Sequence, residues 1–226
     1  MQVMQNITYI FPKKIKPSRL LRSSVASVAL AALGISSVSY ATGITTAEIT
    51  QQSIATDGGS IKVTSTGSIQ VVTNPAISVN ISGGGTASIT NAKLIEGDGV
   101  GSGDGLGTSI SIGSADTNLT LNNDGDGTLG NVSIRGDITA SGKSNVNLTI
   151  VNSNKARINT VAGNSILGAS SGTLSVTNQS GSQILGHINA ASGADLTLTN
   201  TGSDSSIEGN TYGAAKVAIS GGAGVA

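Results

Sequence analysis

Leu196-Thr-Leu-Thr-Asn200 has four close copies earlier in the chain: Ala87-Ser-Ile-Thr-Asn91, Leu119-Thr-Leu-Asn-Asn123, Leu148-Thr-Ile-Val-Asn152 and Leu174-Ser-Val-Thr-Asn178. The first and third positions are apolar in all five, and the second is Ser or Thr. A period of two is the pattern of a strand with one face buried. A weaker copy, Ile61-Lys-Val-Thr-Ser65, opens the series. A second motif follows each Asn: Ile95-Glu-Gly97, Ile134-Arg-Gly136, Ile166-Leu-Gly168, Ile184-Leu-Gly186 and Ile207-Glu-Gly209. Twice it runs on to a further Ile, at Ile138 and Ile188. Each unit therefore holds at least two strands separated by a polar turn.

The steps between the recurrent asparagines shorten from 32 to 29, 26 and 22 residues. Constant strands with variable loops fit a solenoid, whose loops project while its ladders stay in register. In a parallel coil, like motif stacks on like motif at about 4.8 Å per layer. Rows of Ile, Leu and Val then fill the interior, and Asn91, Asn123, Asn152, Asn178 and Asn200 form a side-chain amide ladder at the turn. An antiparallel sandwich satisfies the same alternation but brings unlike motifs together. The expected fold is all-β, a right-handed parallel β-helix after an N-terminal signal helix, with about six or seven layers spanning roughly 30 Å.

Composition agrees with a narrow interior. Of 226 residues, 32 are Gly, aromatics are 2% and charged residues 11%, with no Cys or Trp. Regularly spaced Ile, Leu and Val separate this chain from a disordered one. Without Cys there are no disulfide staples and no thiolate metal sites. After Ala41, seven basic residues face all twelve acidic ones, a net charge of −5 with Tyr212 as the one aromatic. That body lacks both the basic stripe and the stacking platform of a nucleic-acid binder.

The N-terminus is different. Lys13 to Arg22 is a basic stretch, Val25 to Val38 is a short apolar run, and Ser39-Tyr40-Ala41 places small residues at the −3 and −1 positions of a cleavage site. This order predicts a secretory signal peptide cut between Ala41 and Thr42. The apolar run is shorter than the roughly twenty residues a membrane span needs. Expected boundaries are 1–41 for the signal peptide, 42–85 for capping and first coils, and 86–226 for the passenger repeats.

A signal peptide, repeats of the forms L-T-[LI]-x-N and I-x-G-x-I rich in Gly, Ser, Thr and Asn, and the lack of Cys together resemble the passengers of bacterial type V autotransporters. The loose I-x-G-x-I style is similar to the vacuolating-cytotoxin-like group. The resemblance implies a non-enzymatic, exported passenger at the surface or outside a Gram-negative cell. Its β-helical stem would present an adhesive or virulence-related surface to a host-cell or bacterial receptor. Implied contacts are with export machinery, and with membrane only through the signal peptide and a C-terminal barrel. No barrel pattern precedes the final Ser220-Gly-Gly-Ala-Gly-Val-Ala226, so the expectation is a truncated product or the N-terminal piece of a longer one. Two alternatives stand beside this: the scaffold of a larger secreted enzyme or toxin, and a structural or biofilm matrix protein.

Other motifs carry little chemistry. Arg135-Gly136-Asp137 is an integrin-type tripeptide and a candidate adhesion site, although Ile134 and Ile138 bracket it within a repeat position. Gly168-Ala-Ser170-Ser-Gly172 fits G-x-S-x-G, but a strand pattern follows where the nucleophile elbow requires a helix. The single histidine, His187, excludes a His-pair metal site. Gly97 to Gly107 and Asn122 to Gly127 are loosely calcium-like loops; the second has Ser133 where an EF-hand needs Glu. Asp116-Thr-Asn118-Leu-Thr120 fits an acidic N-glycosylation sequon. No catalytic residue, metal ligand or cofactor is expected.

Overall fold

The structure, a computed structural model, describes residues 41–73, 75–97, 107–209, 211–212 and 216–221, excepting the side chains of 160–164 and from 210 onward. Of the expected signal peptide, 1–41, residues 1–40 lie outside the described residues. Among the described residues the chain forms strands and turns only, in repeating units of three strand positions.

The first unit holds β1 (Ala41–Ile44), β2 (Ala47–Glu48) and β3 (Gln52–Ile54); the second β4 (Gly59–Val63), β5 (Ser68–Gln70) and β6 (Ile77–Val79). The third holds β7 (Gly85–Asn91), β8 (Leu94–Glu96) and β9 (Thr108–Ile112); the fourth β10 (Thr117–Asp124), β11 (Ser133–Arg135) and β12 (Asp137–Thr139). In the next two units the second and third positions merge. The fifth pairs β13 (Val146–Ser153) with β14 (Arg157–Leu167), and the sixth β15 (Gly172–Gln179) with β16 (Gln183–Asn189). The seventh holds β17 (Ala194–Thr201), β18 (Ser206–Glu208) and β19 (Thr211–Tyr212), and β20 (Lys216–Gly221) opens an eighth.

First-position strands stack as β1-β4-β7-β10-β13-β15-β17-β20, and the other positions stack beside them. The pairing is parallel throughout, in both stacks. This is a parallel β-solenoid. Like residues stack on like, as the sequence repeat requires. One internal row runs Ile61, Ile89, Leu121, Ile150, Val176, Leu198, and another Ile69, Ile95, Ile134, Ile158, Ile184, Ile207. All twelve are at most 2% exposed. Ile150 lies between Leu121 and Val176 with no exposed surface, so Ile150→Ala should cost about 3 kcal/mol, read by chemical denaturation. A loss under about 1 kcal/mol would mean the row is not packed as described.

Two readings of the repeat are corrected by the register. Ile61 stacks under Ile89 and Val63 under Asn91, so the copy at Ile61–Ser65 sits two residues along from its place in the motif. Such a slip keeps every side chain on its own face. Ile166-Leu-Gly168 belongs to the third strand position, where Ile166 stacks between Ile138 and Ile188. The fifth unit's true counterpart is Ile158, and residues between Asn159 and Asn164 bulge from the ladder at the point where other units place their Gly.

The insertions explain the shortening steps. The unit from Asn178 to Asn200 is nearly bare, at 22 residues. Asn91 to Asn123 adds the segment between Gly97 and Gly107, Asn123 to Asn152 adds mainly the turn between β10 and β11, and Asn152 to Asn178 adds the bulge in β14. Most of these depart from one corner, between the second and third strand positions. The corner that returns the chain to the first position keeps four to six residues in each of the first six units.

Candidate functional site

The most organised polar feature is internal. Asn91, Asn123, Asn152, Asn178 and Asn200 occupy the last inward position of β7, β10, β13, β15 and β17, and none exceeds 1% exposure. The Nδ2 of Asn91, Asn123, Asn152 and Asn178 donates to the Oδ1 of the Asn one layer on, at 2.8, 2.7, 2.8 and 2.7 Å, and Asn200 Nδ2 donates to Ser205 O at 3.2 Å. The remaining N–H reaches across the corner to a carbonyl of the next unit's second strand. Asn91 donates to Ser133 O at 3.1 Å, Asn123 to Arg157 O at 3.0 Å, Asn152 to Gln183 O at 3.1 Å and Asn178 to Ser206 O at 3.0 Å. The ladder thus joins layer to layer and the first sheet to the second. Asn suits this position because it carries both a donor pair and an acceptor in one short side chain. Below, Val63 replaces the rung, and above, Gly221 does. At the lower end Lys93 N donates to Asn91 Oδ1 at 3.2 Å.

The expected cleavage point falls at the edge of the first layer. Ala41 and Thr42 open β1, both exposed, paired to Ser60 and Ile61 of β4. A cut between them would leave Thr42, Gly43 and Ile44 in the ladder.

Arg135, Gly136 and Asp137 lie within paired backbone. Arg135 ends β11 and Asp137 begins β12, each half-buried. Gly136 N donates to Asn159 O at 2.9 Å, and Asp137 N to Gly107 O at 2.7 Å. Ser109 Oγ donates to Arg135 O. Gly136 has φ +109°, and a Cβ there would stand 2.3 Å from Gly107 O. The glycine serves the bend between two strands, and the tripeptide is held from above and below.

The remaining motifs fall into turns. Ser170 sits between β14 and β15 with its hydroxyl donating to Lys143 O at 2.6 Å. Asn123 of the Asn122–Gly127 segment is the buried ladder rung described above, which leaves no EF-hand-like loop there. Asp124 accepts from Ser153 Oγ and Asn154 Nδ2 at 2.9 and 2.7 Å. Most of the Gly97–Gly107 segment lies outside the described residues. Among the described residues no group of three or more His, Asp and Glu side chains gathers as a metal site.

Two exposed carboxylates are tuned by turn bonds. The backbone N–H and the hydroxyl of Thr86 hold Asp57 below the usual carboxylate range, at 2.7 and 2.9 Å. The Thr128 N–H and then the Asn131 amide do the same for Asp126. A folded-state value below the unfolded one adds stability above the unfolded value, and that stability is lost as pH falls through the folded value. The urea midpoint should therefore drop between neutral pH and about pH 3, and Asp57→Asn should flatten the drop. An unchanged slope in the variant would remove Asp57 from the account.

The chain matches no family model, no curated protein and no solved structure. Its functional reading rests on its own residues and geometry.

Proposed function

We propose that the chain is an exported, non-enzymatic passenger segment: a β-solenoid stem that carries recognition elements on its corner loops outside the cell. The observation that supports this best is the asymmetry of the solenoid. Its core and amide ladder are repeated layer by layer, whereas the insertions gather mainly at one corner. A rigid scaffold with variable loops on one edge is how solenoids present binding surfaces. The basic stretch, apolar run and small-residue site ahead of Thr42 supply the route out of the cytoplasm.

Expression of the full chain in a Gram-negative host tests the reading. The expected result is an exported product whose N-terminal residue is Thr42. Retention in the cytoplasm with an intact Met1 would overturn it. A cell-binding assay on the exported chain then separates an adhesive surface from a scaffold serving a downstream domain.

A further inference from the structure

Five N-x-Ser/Thr sequons lie among the described residues, at Asn80, Asn118, Asn131, Asn147 and Asn178. The fold treats them differently. Asn178 is a buried rung whose Nδ2 donates to Asn200 Oδ1 and Ser206 O, at 2.7 and 3.0 Å. Asn131 Nδ2 donates to Asp126 Oδ2 at 3.2 Å, and Ser133, its sequon hydroxyl, is buried and donates to Gly130 O. Asn147 Nδ2 donates to Asn118 Oδ1 at 2.7 Å. Asn118 ends that exposed row, because Thr86 in the layer below turns its hydroxyl to Asp57 at 2.9 Å. Among the described residues Asn118 Nδ2 therefore makes no hydrogen bond, and neither does the hydroxyl of Thr120. Asp116, Asn118 and Thr120 are all exposed. Asn80 is exposed too but follows Ser78, and of the five only Asn118 has an acid two residues before it.

We propose that Asn118 accepts an N-linked oligosaccharide from a polyprenyl-pyrophosphate donor. In that transfer Asn118 Nδ2 bonds to C1 of the first sugar and the C1–O bond to pyrophosphate breaks. The amide releases one proton and the lipid pyrophosphate leaves. The Thr120 hydroxyl orients the acceptor amide, and the Asp116 carboxylate meets a cationic pocket of the transferase. The product leaves the fold intact. Oδ1 still accepts from Asn147, and the sugar projects into solvent, where a bulky polar group belongs. On Asn178 the same sugar would stand in the core. Because β10 is paired on both sides, to β7 and β13, folded Asn118 cannot enter a transferase cleft, so attachment precedes folding. In the cell the inference rests on the passenger reading, which carries the unfolded chain out to the lipid-linked donor.

Cell-free synthesis of the full chain tests it, with a detergent-solubilised, acid-requiring oligosaccharyltransferase and its lipid-linked oligosaccharide present from the start. No membrane is crossed, so this outcome is separate from that of export. Mass spectrometry should find one glycan, on Asn118. Asn118→Gln should abolish it, and Asp116→Ala should reduce occupancy several-fold. The glycosylated chain should unfold at the same urea midpoint as the unmodified one, and chain offered to the transferase after folding should stay unmodified. An empty Asn118, equal occupancy of Asn147 or a glycosylated chain that fails to fold would overturn the proposal, as would equal modification of the folded chain.

Discussion

Asn152→Ala should lower the unfolding free energy by roughly 3 to 5 kcal/mol, measured by urea or guanidinium denaturation. The middle rung of the ladder accepts from Asn123 at 2.7 Å, donates to Asn178 at 2.8 Å and donates to Gln183 O at 3.1 Å. Removing it leaves the Asn123 donor and the Asn178 acceptor short of a partner, in a site with no exposed surface. Each buried polar group so orphaned costs about 1–3 kcal/mol. The end rung gives the contrast. Asn178 keeps its bonds to Ser182 O and Ser206 O when Asn200 is removed, so Asn200→Ala should cost only about 1–2 kcal/mol. Equal losses at the two positions would argue against a continuous ladder.

Gly172→Ala should be comparably damaging for a different reason. Gly172 opens β15 with φ +108°, and a Cβ there would stand 2.3 Å from Val146 O in the layer below. Neither side can yield easily, because Val146 and Gly172 are register partners in the ladder between β13 and β15. Backbone strain alone costs about 1–3 kcal/mol, and the overlap adds to it, for a total of about 3 kcal/mol or more. Gly142 shares the positive φ, at +73°, but a Cβ there meets nothing within 4 Å. Gly142→Ala should thus cost only about 1 kcal/mol. A thermal melt of the pair isolates the close approach from the left-handed backbone.

The legible part of this fold was its two-residue alternation and its recurrent Asn. Ala87, Leu119, Leu148, Leu174 and Leu196 announce one row of the core, and the Asn four residues later announces the corner. Register was less legible. Val63 and Ile61 fit the motif at two alternative alignments that differ by two residues, and both keep the same faces inward. Ile166-Leu-Gly168 imitates Ile184-Leu-Gly186 in sequence, yet only stacking reveals that a bulge has moved it to the third strand position. The second function of Asn91, Asn123, Asn152 and Asn178, bonding a carbonyl of the following unit, depends on which strands become neighbours across the corner. A sequence motif does not encode that. The outward rows were hidden for the opposite reason: Ser and Thr between apolar residues read as the solvent side of any strand. Only parallel register aligns Ser88, Thr120, Thr149, Ser175 and Thr197 in one row.

Distance measurement by electron spin resonance between nitroxide pairs on one outward row tests the parallel solenoid most directly. Ser60, Ser88, Thr120, Thr149, Ser175 and Thr197 occupy successive layers. With one label at Ser60 and the other moved along the row, separations should grow in equal steps of about 4.8 Å, reaching about 24 Å at Thr197. Separations that rise and fall with sequence position, as in a sheet of antiparallel hairpins, would contradict it.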